Sequence, residues 1–207
     1  MQMKTVFSTF KNMSHKITKI KPIETAPFER PPAAACDIFI NHRGIDTKRT
    51  IAGLLYDHLS RLGYKPFLDS KNMKPGDKLF EKIDPAIRDC KIGVAVFSPR
   101  YCESLFCLHE LALIMETKKR VIPIFCDVKP SELRVVDDGK CRPDQLRRYS
   151  DALEEAKLTV GLTFDSRNGD WSEFLTTATF AIVKNMMELD GHTHSRIVNI
   201  LCRIITN

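Results

Sequence analysis

The 207-residue sequence lacks several features that would each point directly to a function. Its apolar runs stay well short of the ~20 residues that a membrane-spanning helix needs. It has no Gly-x-Gly-x-x-Gly and no Gly-x4-Gly-Lys-Ser/Thr motif, so the usual phosphate-binding loops for dinucleotides and nucleoside triphosphates are missing. With 43% hydrophobic and 28% charged residues, we expect a globular chain without a membrane span.

Net charge is also missing from the body of the chain. The formal charge of +6 comes from the two ends, because residues 1–35 carry six Lys/Arg against two acids and residues 191–207 carry two against none. The 24 basic and 24 acidic residues of 36–190 cancel. A folded body that binds nucleic acid needs a basic stripe, so a nucleic-acid partner is disfavoured.

Cys-x-x-Cys pairs are absent, and the count of seven cysteines is odd. No secretory leader precedes them, so we expect reduced thiols and a cytoplasmic location. The close histidine pair His192 and His194 follows Gly191 near the end of the chain and is a weak metal signal. We therefore predict no metal centre and no cofactor.

Composition divides the chain into three parts. Residues 1–35 form a basic arm that becomes proline-rich, residues 36–190 carry the folded domain, and residues 191–207 form a tail. The arm is poor in acids and rich in hydroxyl side chains, as organelle transit peptides are, but it has no arginine before Arg30. We interpret it as a flexible arm.

Short apolar runs alternate with helical patterns along residues 36–190. Predicted strands cover Asp37–Asn41, Tyr64–Leu68, Ile92–Phe97, Val121–Phe125 and Leu158–Phe164. Predicted helices cover Lys48–Leu62, capped by Asp46 or Thr47 and ended by Gly63, and then Leu79–Arg88, Leu105–Lys118, Pro143–Ala156 and Trp171–Leu189. This alternation predicts an α/β fold, a flavodoxin-like, doubly wound, five-stranded parallel sheet.

One carboxylate interrupts the apolar run from Ser104 to Met115. Glu110 has apolar neighbours on every face of this predicted helix, which follows a buried strand and so lies near the carboxyl edge of the sheet. A buried and unpaired carboxylate is costly, and open α/β sheets bind ligands at this edge. Glu110 is therefore a candidate functional residue. The alternative is a glutamate solvated at a gap in the packing.

The loop after the first strand offers a second candidate feature. Gly44 frees the backbone, and Arg43 presents a planar bidentate donor next to a helix amino terminus, an arrangement that suits phosphate. The alternative is a capped turn in which Arg43 bridges two loops. Other chemistries find less support, because Ser98 stands where a phosphoacceptor domain needs aspartate and Cys107 has no obvious histidine partner for a thiol hydrolase.

Five blocks of sequence together resemble the Toll/interleukin-receptor (TIR) domains of plants. The first is Cys-Asp-Ile-Phe-Ile-Asn-His-Arg-Gly-Ile-Asp-Thr-Lys-Arg from residue 36, and the others begin at Phe67, Val96, Ser104 and Val121. The resemblance covers about residues 36–190. With no nucleotide-binding or leucine-rich segment in the sequence, it implies a plant protein of the TIR-only form.

The resemblance implies an enzyme of plant immune signalling that cleaves NAD⁺ to nicotinamide and ADP-ribose or cyclic ADP-ribose isomers. NAD⁺ is then a substrate, and the enzyme is active as a homo-oligomer. Glu110 would be catalytic, and substrate would contact Arg43, Gly44, Ile45, Asp46, Gly76, Ser98, Phe106 and Cys107. Self-association would use Lys71, Lys74 and Pro75 in a loop, Lys71–Asp77, that helps complete a neighbour's pocket. We also expect Gly53 and Leu54 of the first helix to form a second contact, because a small residue lets two helices approach closely. The alternative is a non-enzymatic adaptor that binds other TIR proteins.

Five positions, at three places in the sequence, depart from the plant pattern. Asn41-His42 replaces the usual Ser-Phe and alters the expected pocket wall, and Phe106 replaces a tryptophan. Phe106 can still stack on a base or pack in the core. Gly53-Leu54 replaces a Ser-His pair on the first helix. Neither the choice of product nor that helix contact can be carried over from the family.

Overall fold

The computed structural model describes residues 36–137, 139 and 141–191. The predictions for residues 1–35 and for the tail beyond residue 191 lie outside the described residues. The described strands are β1 (Ile38–His42), β2 (Pro66–Phe67), β3 (Ile92–Phe97), β4 (Arg120–Cys126) and β5 (Leu162–Phe164). The described helices are α1 (Gly44–Thr47), α2 (Ile51–Arg61), α3 (Asp69–Asn72), α4 (Leu79–Asp89), α5 (Leu105–Glu116), α6 (Pro143–Leu158) and α7 (Trp171–Leu189).

The five described strands form a sheet in the order β2-β1-β3-β4-β5, and every pairing is parallel. This confirms the predicted flavodoxin-like α/β fold. The chain leaves β1 on one side to form β2 and then crosses to the other side of β1 to form β3. The strand order therefore reverses between β1 and β3. At this point Asn41 lies beside Ala95, and His42 lies beside Val96.

Helices cover both faces of the sheet because the strands are apolar on both faces. Successive strand residues point to opposite faces. Ile38 and Ile40 belong to a buried cluster with α2 and α7, whereas Phe39 belongs to a second cluster with α4, α5 and α6. The same alternation directs Asn41 toward the α5 face and His42 toward the α2 face.

The start of the first long helix differs from the prediction. The chain first forms the short helix α1, and α2 begins only at Ile51. Neither Asp46 nor Thr47 caps α2, because both lie inside α1. The carboxylate of Asp46 instead makes long-range contacts, which sequence spacing cannot reveal. The helix ends as predicted, since Gly63 follows it with φ of 86°, a left-handed conformation that glycine tolerates.

Two predicted strands are too long. Tyr64–Leu68 shortens to Pro66–Phe67, and the following residues form α3. Leu158–Phe164 shortens to Leu162–Phe164, because Leu158 belongs to α6 and is exposed. Both strands lie at an edge of the sheet, where a single neighbour fixes the extent of pairing. The other predicted elements agree with the described bounds to within two residues.

Six cysteines lie in the described part of the chain, and all six are free thiols there. Burial raises the pKa of Cys36 and of Cys126 to about 12, so both behave as small apolar side chains. Within the described ranges, none of the helices combines the length and apolarity needed to cross a bilayer.

Candidate active site

A cavity of about 650 Å³ opens at the carboxyl edge of the sheet, beside the point where the strand order reverses. Its walls come from the loop after β1, the start of α3, one side of α4 and the first turns of α5. The loops of neighbouring strands diverge at such a reversal, which leaves a crevice that doubly wound folds use for ligands. Position alone therefore marks this cavity as a candidate site.

Seven of the nine residues predicted to be catalytic or substrate-binding line this cavity, namely Glu110, Arg43, Gly44, Ile45, Asp46, Phe106 and Cys107. Ser98 and Gly76 are not among the described residues that line it. Ser98 is buried and donates its hydroxyl to Asp46 at 2.7 Å. Gly76 lies in the exposed loop after α3, with φ of 95°, outside the cavity of its own chain.

Glu110 lies in the cavity wall and has a well-defined hydrogen-bond partner. Nδ2 of Asn41 donates to Oε2 of Glu110 at 2.7 Å. Burial raises the pKa of Glu110 to about 8, the carboxylates of Asp69 and Asp84 act in the same direction, and the hydrogen bond from Asn41 opposes them. The free protein thus holds a carboxyl group that titrates near neutral pH, as groups in functional sites commonly do.

Asn41 is held in place by a buried network. Its Oδ1 accepts a hydrogen bond from the hydroxyl of Tyr101, and its Nδ2 also donates to the carbonyl of Cys107 at 3.2 Å. Asn41 and Tyr101 have no exposed surface. A buried and fully paired amide keeps one orientation, so the partner of Glu110 is fixed in position. Sequence reasoning missed this role of Asn41 and Tyr101, although an asparagine inside the apolar strand β1 was an available signal.

The last residue of β1 and the residue after it contribute two nitrogen atoms that are buried and have no partner within the described residues. They are Nε2 of His42 and Nε of Arg43, and both residues line the cavity. Leaving such an atom unpaired costs about 1–3 kcal/mol, so a ligand that pairs with it gains affinity. Arg43, Lys48 and Arg49 also make this wall cationic, which suits a phosphate group.

Asp46 ties the loop after β1 to the loop after β3. Its carboxylate accepts hydrogen bonds from the hydroxyl of Ser98 at 2.7 Å, from the backbone N–H of Arg100 at 3.2 Å and from Nε of Arg100 at 2.8 Å. Burial alone would raise the pKa of Asp46, but these hydrogen bonds outweigh it and lower that pKa. Both carboxylate oxygens of Asp46 thus accept hydrogen bonds within the protein, and Ser98 helps to hold Asp46 in position.

Apolar side chains also line the cavity. Phe106 is 52% exposed and Ile45 is 60% exposed, while Leu79 and Ile83 of α4 complete the wall. The ring of Phe106 lies 5.8 Å from that of Phe80. An exposed ring at a cavity rim offers a flat face on which a planar base can stack.

Cys107 does not have the properties of a nucleophile. Its thiol donates to the carbonyl of His42 at 3.2 Å, and burial raises its pKa to about 12. Nucleophilic attack requires the thiolate, which is scarce at neutral pH when the pKa is this high. The thiol-hydrolase alternative therefore loses its support.

The residues predicted for self-association lie away from this cavity. A Cβ atom at Gly53 would sit 2.8 Å from the carbonyl oxygen of Lys48 in the same chain, so close packing within the chain already requires glycine there. Leu54, the next residue along α2, is 36% exposed and is therefore accessible to a partner. Lys71 reaches Asp57 of α2 at 3.4 Å, and the loop residues Lys74 and Pro75 are exposed.

The sheet order, the cavity at its reversal point and the half-buried carboxylate of Glu110 define a ligand-binding α/β domain of the flavodoxin-like class. Within that class, the TIR domain family model matches residues 35–159 of the chain. The match covers more than half of the sequence, so the chain belongs to the TIR domain family.

Similar proteins include several from plants. The chain is 50% identical over 158 residues to a Brachypodium distachyon protein named probable 2' cyclic ADP-D-ribose synthase BdTIR, covering 74% of this chain and 70% of that protein. It is 37% identical over 124 residues to the TMV resistance protein N of Nicotiana glutinosa, covering 57% of this chain but only 11% of that protein. The TIR domains of the activated Roq1 resistosome match with a TM-score of 0.60 and 31% identity, over 71% of this chain and 99% of that chain.

Proposed function

We propose that this chain is an NAD⁺ nucleosidase of plant immune signalling, which releases nicotinamide and leaves ADP-ribose or a cyclic ADP-ribose isomer. The observation that carries the proposal is Glu110, a carboxylate with a raised pKa in a cavity whose other wall is cationic. The relative named as a cyclic ADP-ribose synthase supports the reaction, and the plant resistance protein supports the setting. The free thiols of the described cysteines support a cytoplasmic location.

Cleavage of NAD⁺ breaks the bond between the nicotinamide nitrogen and the anomeric carbon of its ribose. The electron pair leaves with nicotinamide, which departs as a neutral ring, so no general acid is needed. Positive charge then grows on the ribosyl carbon, and the carboxylate of Glu110 stabilises that charge from the cavity wall. The nicotinamide ring of NAD⁺ is itself cationic, so its binding favours ionised Glu110.

The remaining cavity walls fit the rest of the substrate. Arg43 binds the pyrophosphate, because it lines the cavity, carries a positive charge and has an Nε without a partner among the described residues. Phe106 stacks on a base. The fold of the free chain does not require glycine at position 44. Its φ is not positive, and a Cβ atom there would have no neighbour within 4 Å. Its benefit is the space that it leaves for the close approach of a ligand to the backbone.

The deciding assay measures nicotinamide release from NAD⁺ by the purified protein. Glu110→Gln keeps the size of the side chain and removes its charge, so turnover should fall by at least ~10²-fold, the effect of removing one electrostatic stabiliser. Glu116→Gln is the matched control, because it makes the same change at the exposed end of the same helix, outside the cavity. Equal turnover by Glu110→Gln and the wild type would overturn the assignment. No release by the wild type would favour the non-enzymatic adaptor.

Self-association is part of the proposed function. The predicted loop Lys71–Asp77 starts within α3, which holds Lys71, and continues as an exposed turn through Lys74, Pro75 and Gly76. None of its residues lines the cavity of its own chain. The loop keeps a defined shape, because the N–H of Lys74 donates to Asp77 at 2.9 Å. It is therefore available to a neighbouring copy. The Roq1 TIR domains, which come from an assembled resistosome, support association of this kind.

A mixing experiment tests whether the loop acts on a neighbour. Lys74→Glu reverses a charge on the exposed loop, and Glu110→Gln removes the catalytic charge, so each variant alone should be weak. An equal mixture should recover activity if the intact loop of one variant completes the cavity of the other. The control mixes Glu110→Gln with itself at the same total concentration. A monomer by light scattering with constant specific activity on dilution would show that one chain carries a complete site.

A further inference from the structure

His42 is a cavity residue whose chemistry the proposed reaction does not yet use. The residue is only 7% exposed, and its Nε2 lacks a hydrogen-bond partner among the described residues. Its side chain nevertheless lines the cavity that holds Glu110. The phenylalanine that plant TIR domains usually carry at this position has no such atom. A buried, unpaired nitrogen in a residue that lines a cavity indicates a polar group of the ligand.

Asp69 is the acidic group beside that nitrogen. Its Oδ1 lies 3.9 Å from Nε2 of His42, too far for a hydrogen bond, and its side chain is 46% exposed. Burial lowers the pKa of His42, Lys48 acts in the same direction, and Asp69 and the hydrogen bond to the backbone of Ile40 oppose it. The imidazole is therefore neutral at pH 7. With the ring proton on Nδ1, the lone pair lies on the unpaired Nε2.

His42 reaches the cavity from a different side than Glu110 does. Strand alternation directs Asn41, the partner of Glu110, to the α5 face and His42 to the α2 face. Both residues lie at the carboxyl end of β1, where the cavity spans the edge of the sheet. A ligand bound across this edge therefore presents its reacting ribose to Glu110 and another of its groups to His42.

We propose that His42 contacts the substrate and accepts the proton of the ribose hydroxyl that closes the cyclic product. This inference rests on the proposed NAD⁺ nucleosidase function. The bond to nicotinamide breaks, and its electron pair leaves with nicotinamide. A hydroxyl oxygen of the second ribose of the same molecule then bonds to the ribosyl carbon, and its proton passes to Nε2. Asp69 stabilises the imidazolium, which releases the proton to solvent at this exposed carboxylate.

A base at this position favours cyclisation over hydrolysis. Water reaches the electron-deficient carbon without assistance, so hydrolysis needs little from the protein. A ribose hydroxyl competes with water only when it is held close to that carbon and can lose its proton as the new bond forms. The imidazole of His42 provides the contact and the proton acceptor, whereas a phenylalanine ring provides neither.

The test follows both products of NAD⁺ in the full chain by chromatography with mass detection. The measured quantity is the fraction of released nicotinamide that is matched by cyclic product. His42→Phe should lower this fraction at least ~5-fold, since general base catalysis commonly contributes more than that. His42→Gln, which hydrogen-bonds but takes no proton, should give an intermediate fraction. His58→Phe makes the same change at a half-buried histidine of α2 outside the cavity and should leave the fraction unchanged.

The outcomes distinguish a failure of the proposed role of His42 from a failure of the proposed nucleosidase function. A wild-type protein that releases nicotinamide but makes only linear ADP-ribose overturns the role of His42, as does an unchanged fraction in His42→Phe. No nicotinamide release by the wild type overturns the enzymatic function itself. If His42→Phe fails to fold, Asp69→Asn decides, because it leaves the imidazole in place. That variant should also lower the cyclic fraction, and an unchanged fraction would contradict the proposal.

Discussion

Two cavities of similar size lie along the same edge of the sheet. The first, at the reversal between β1 and β3, measures about 650 Å³, and the second, between the loops after β4 and β5, measures about 720 Å³. Both lie at carboxyl ends of parallel strands, so neither size nor position along the edge separates them. Their polar groups differ.

Acidic residues of the second cavity are satisfied by nearby backbone and hydroxyl groups. Asp127 accepts the N–H of Ser166 at 2.7 Å and its hydroxyl at 2.6 Å. Glu132 accepts the N–H of Lys129 at 2.7 Å. In the first cavity, by contrast, His42 and Arg43 hold unpaired nitrogens. The comparison teaches that unpaired polar atoms in the wall of a cavity indicate a ligand-binding site better than the volume of the cavity does.

If the first cavity is the active site and the second is not, the largest expected effect is a pH dependence of turnover through Glu110. Glu110 acts as the carboxylate, and its pKa is about 8 in the free protein. The ratio kcat/KM should therefore rise about tenfold per pH unit on the acidic side of this value and then level off. Rates measured from about pH 6 to 9 test this, with Glu110→Gln expected to give a low and flat profile. A wild-type profile that falls over this range would contradict the role of Glu110.

The same pKa shift should affect stability in the opposite sense. The pKa of Glu110 is raised from 4.5 to about 8, so the native state binds the proton more tightly than the unfolded state. Its contribution to the free energy of unfolding is full below the lower value and is lost as the pH rises through the higher one. Glu110→Gln cannot ionise, so it should exceed the wild type by a few kcal/mol at alkaline pH. Urea unfolding at acidic and alkaline pH measures this difference.

Arg43 should give the next largest effect. Arg43→Ala removes a phosphate contact that acts alike in the ground and transition states, so KM should rise ~10- to 100-fold with a smaller change in kcat. The increase should shrink at high salt, where charge interactions are screened. Arg167→Ala, which removes an arginine from the wall of the second cavity, is the matched control and should leave KM unchanged. Collapsed turnover at an unchanged KM would indicate a different role for Arg43.

Asn41 should have a moderate effect through Glu110. Asn41→Ser, which restores the usual plant residue, removes the hydrogen bond that favours the ionised carboxylate. The midpoint of the pH profile should move to higher pH, and turnover at neutral pH should fall ~10-fold, the usual strength of a hydrogen bond to a charged group. Tyr101→Phe, which removes a donor to Asn41, should shift the midpoint less. A general loss of stability would lower rates without moving the midpoint.

The smallest effect should come from the second cavity. Asp127→Asn weakens the hydrogen bonds to Ser166 and should cost about 1 kcal/mol of unfolding free energy. Asparagine tolerates the φ of 55° found at this position, so the backbone should not change. Nicotinamide release should match the wild type. A folded Asp127→Asn protein with much lower activity would show that the second cavity takes part in the reaction.

Local patterns were enough to predict most of the fold, because β1, β3 and β4 are apolar runs and the helices between them repeat at helical spacing. Glu110 was also visible in the sequence, since a lone carboxylate in an apolar helix is unusual. Its partner was not predictable, because Asn41 is 69 residues away and the contact depends on how β1 meets α5. The role of Gly53 in self-association stays a prediction, although the nearby carbonyl of Lys48 gives this glycine a second reason within its own chain.

The anchoring of Asp46 affects the entropy of ligand binding. Ser98 and Arg100 hold its carboxylate, so the chain from Arg43 to Thr47 is ordered before any ligand arrives. Fixing a mobile residue costs about 1–2 kcal/mol of conformational entropy. A loop that is already ordered avoids that loss, so more of the interaction between Arg43 and its ligand is expressed as affinity. Asp46 and Ser98 therefore strengthen binding by preorganisation, without needing to touch the bound molecule.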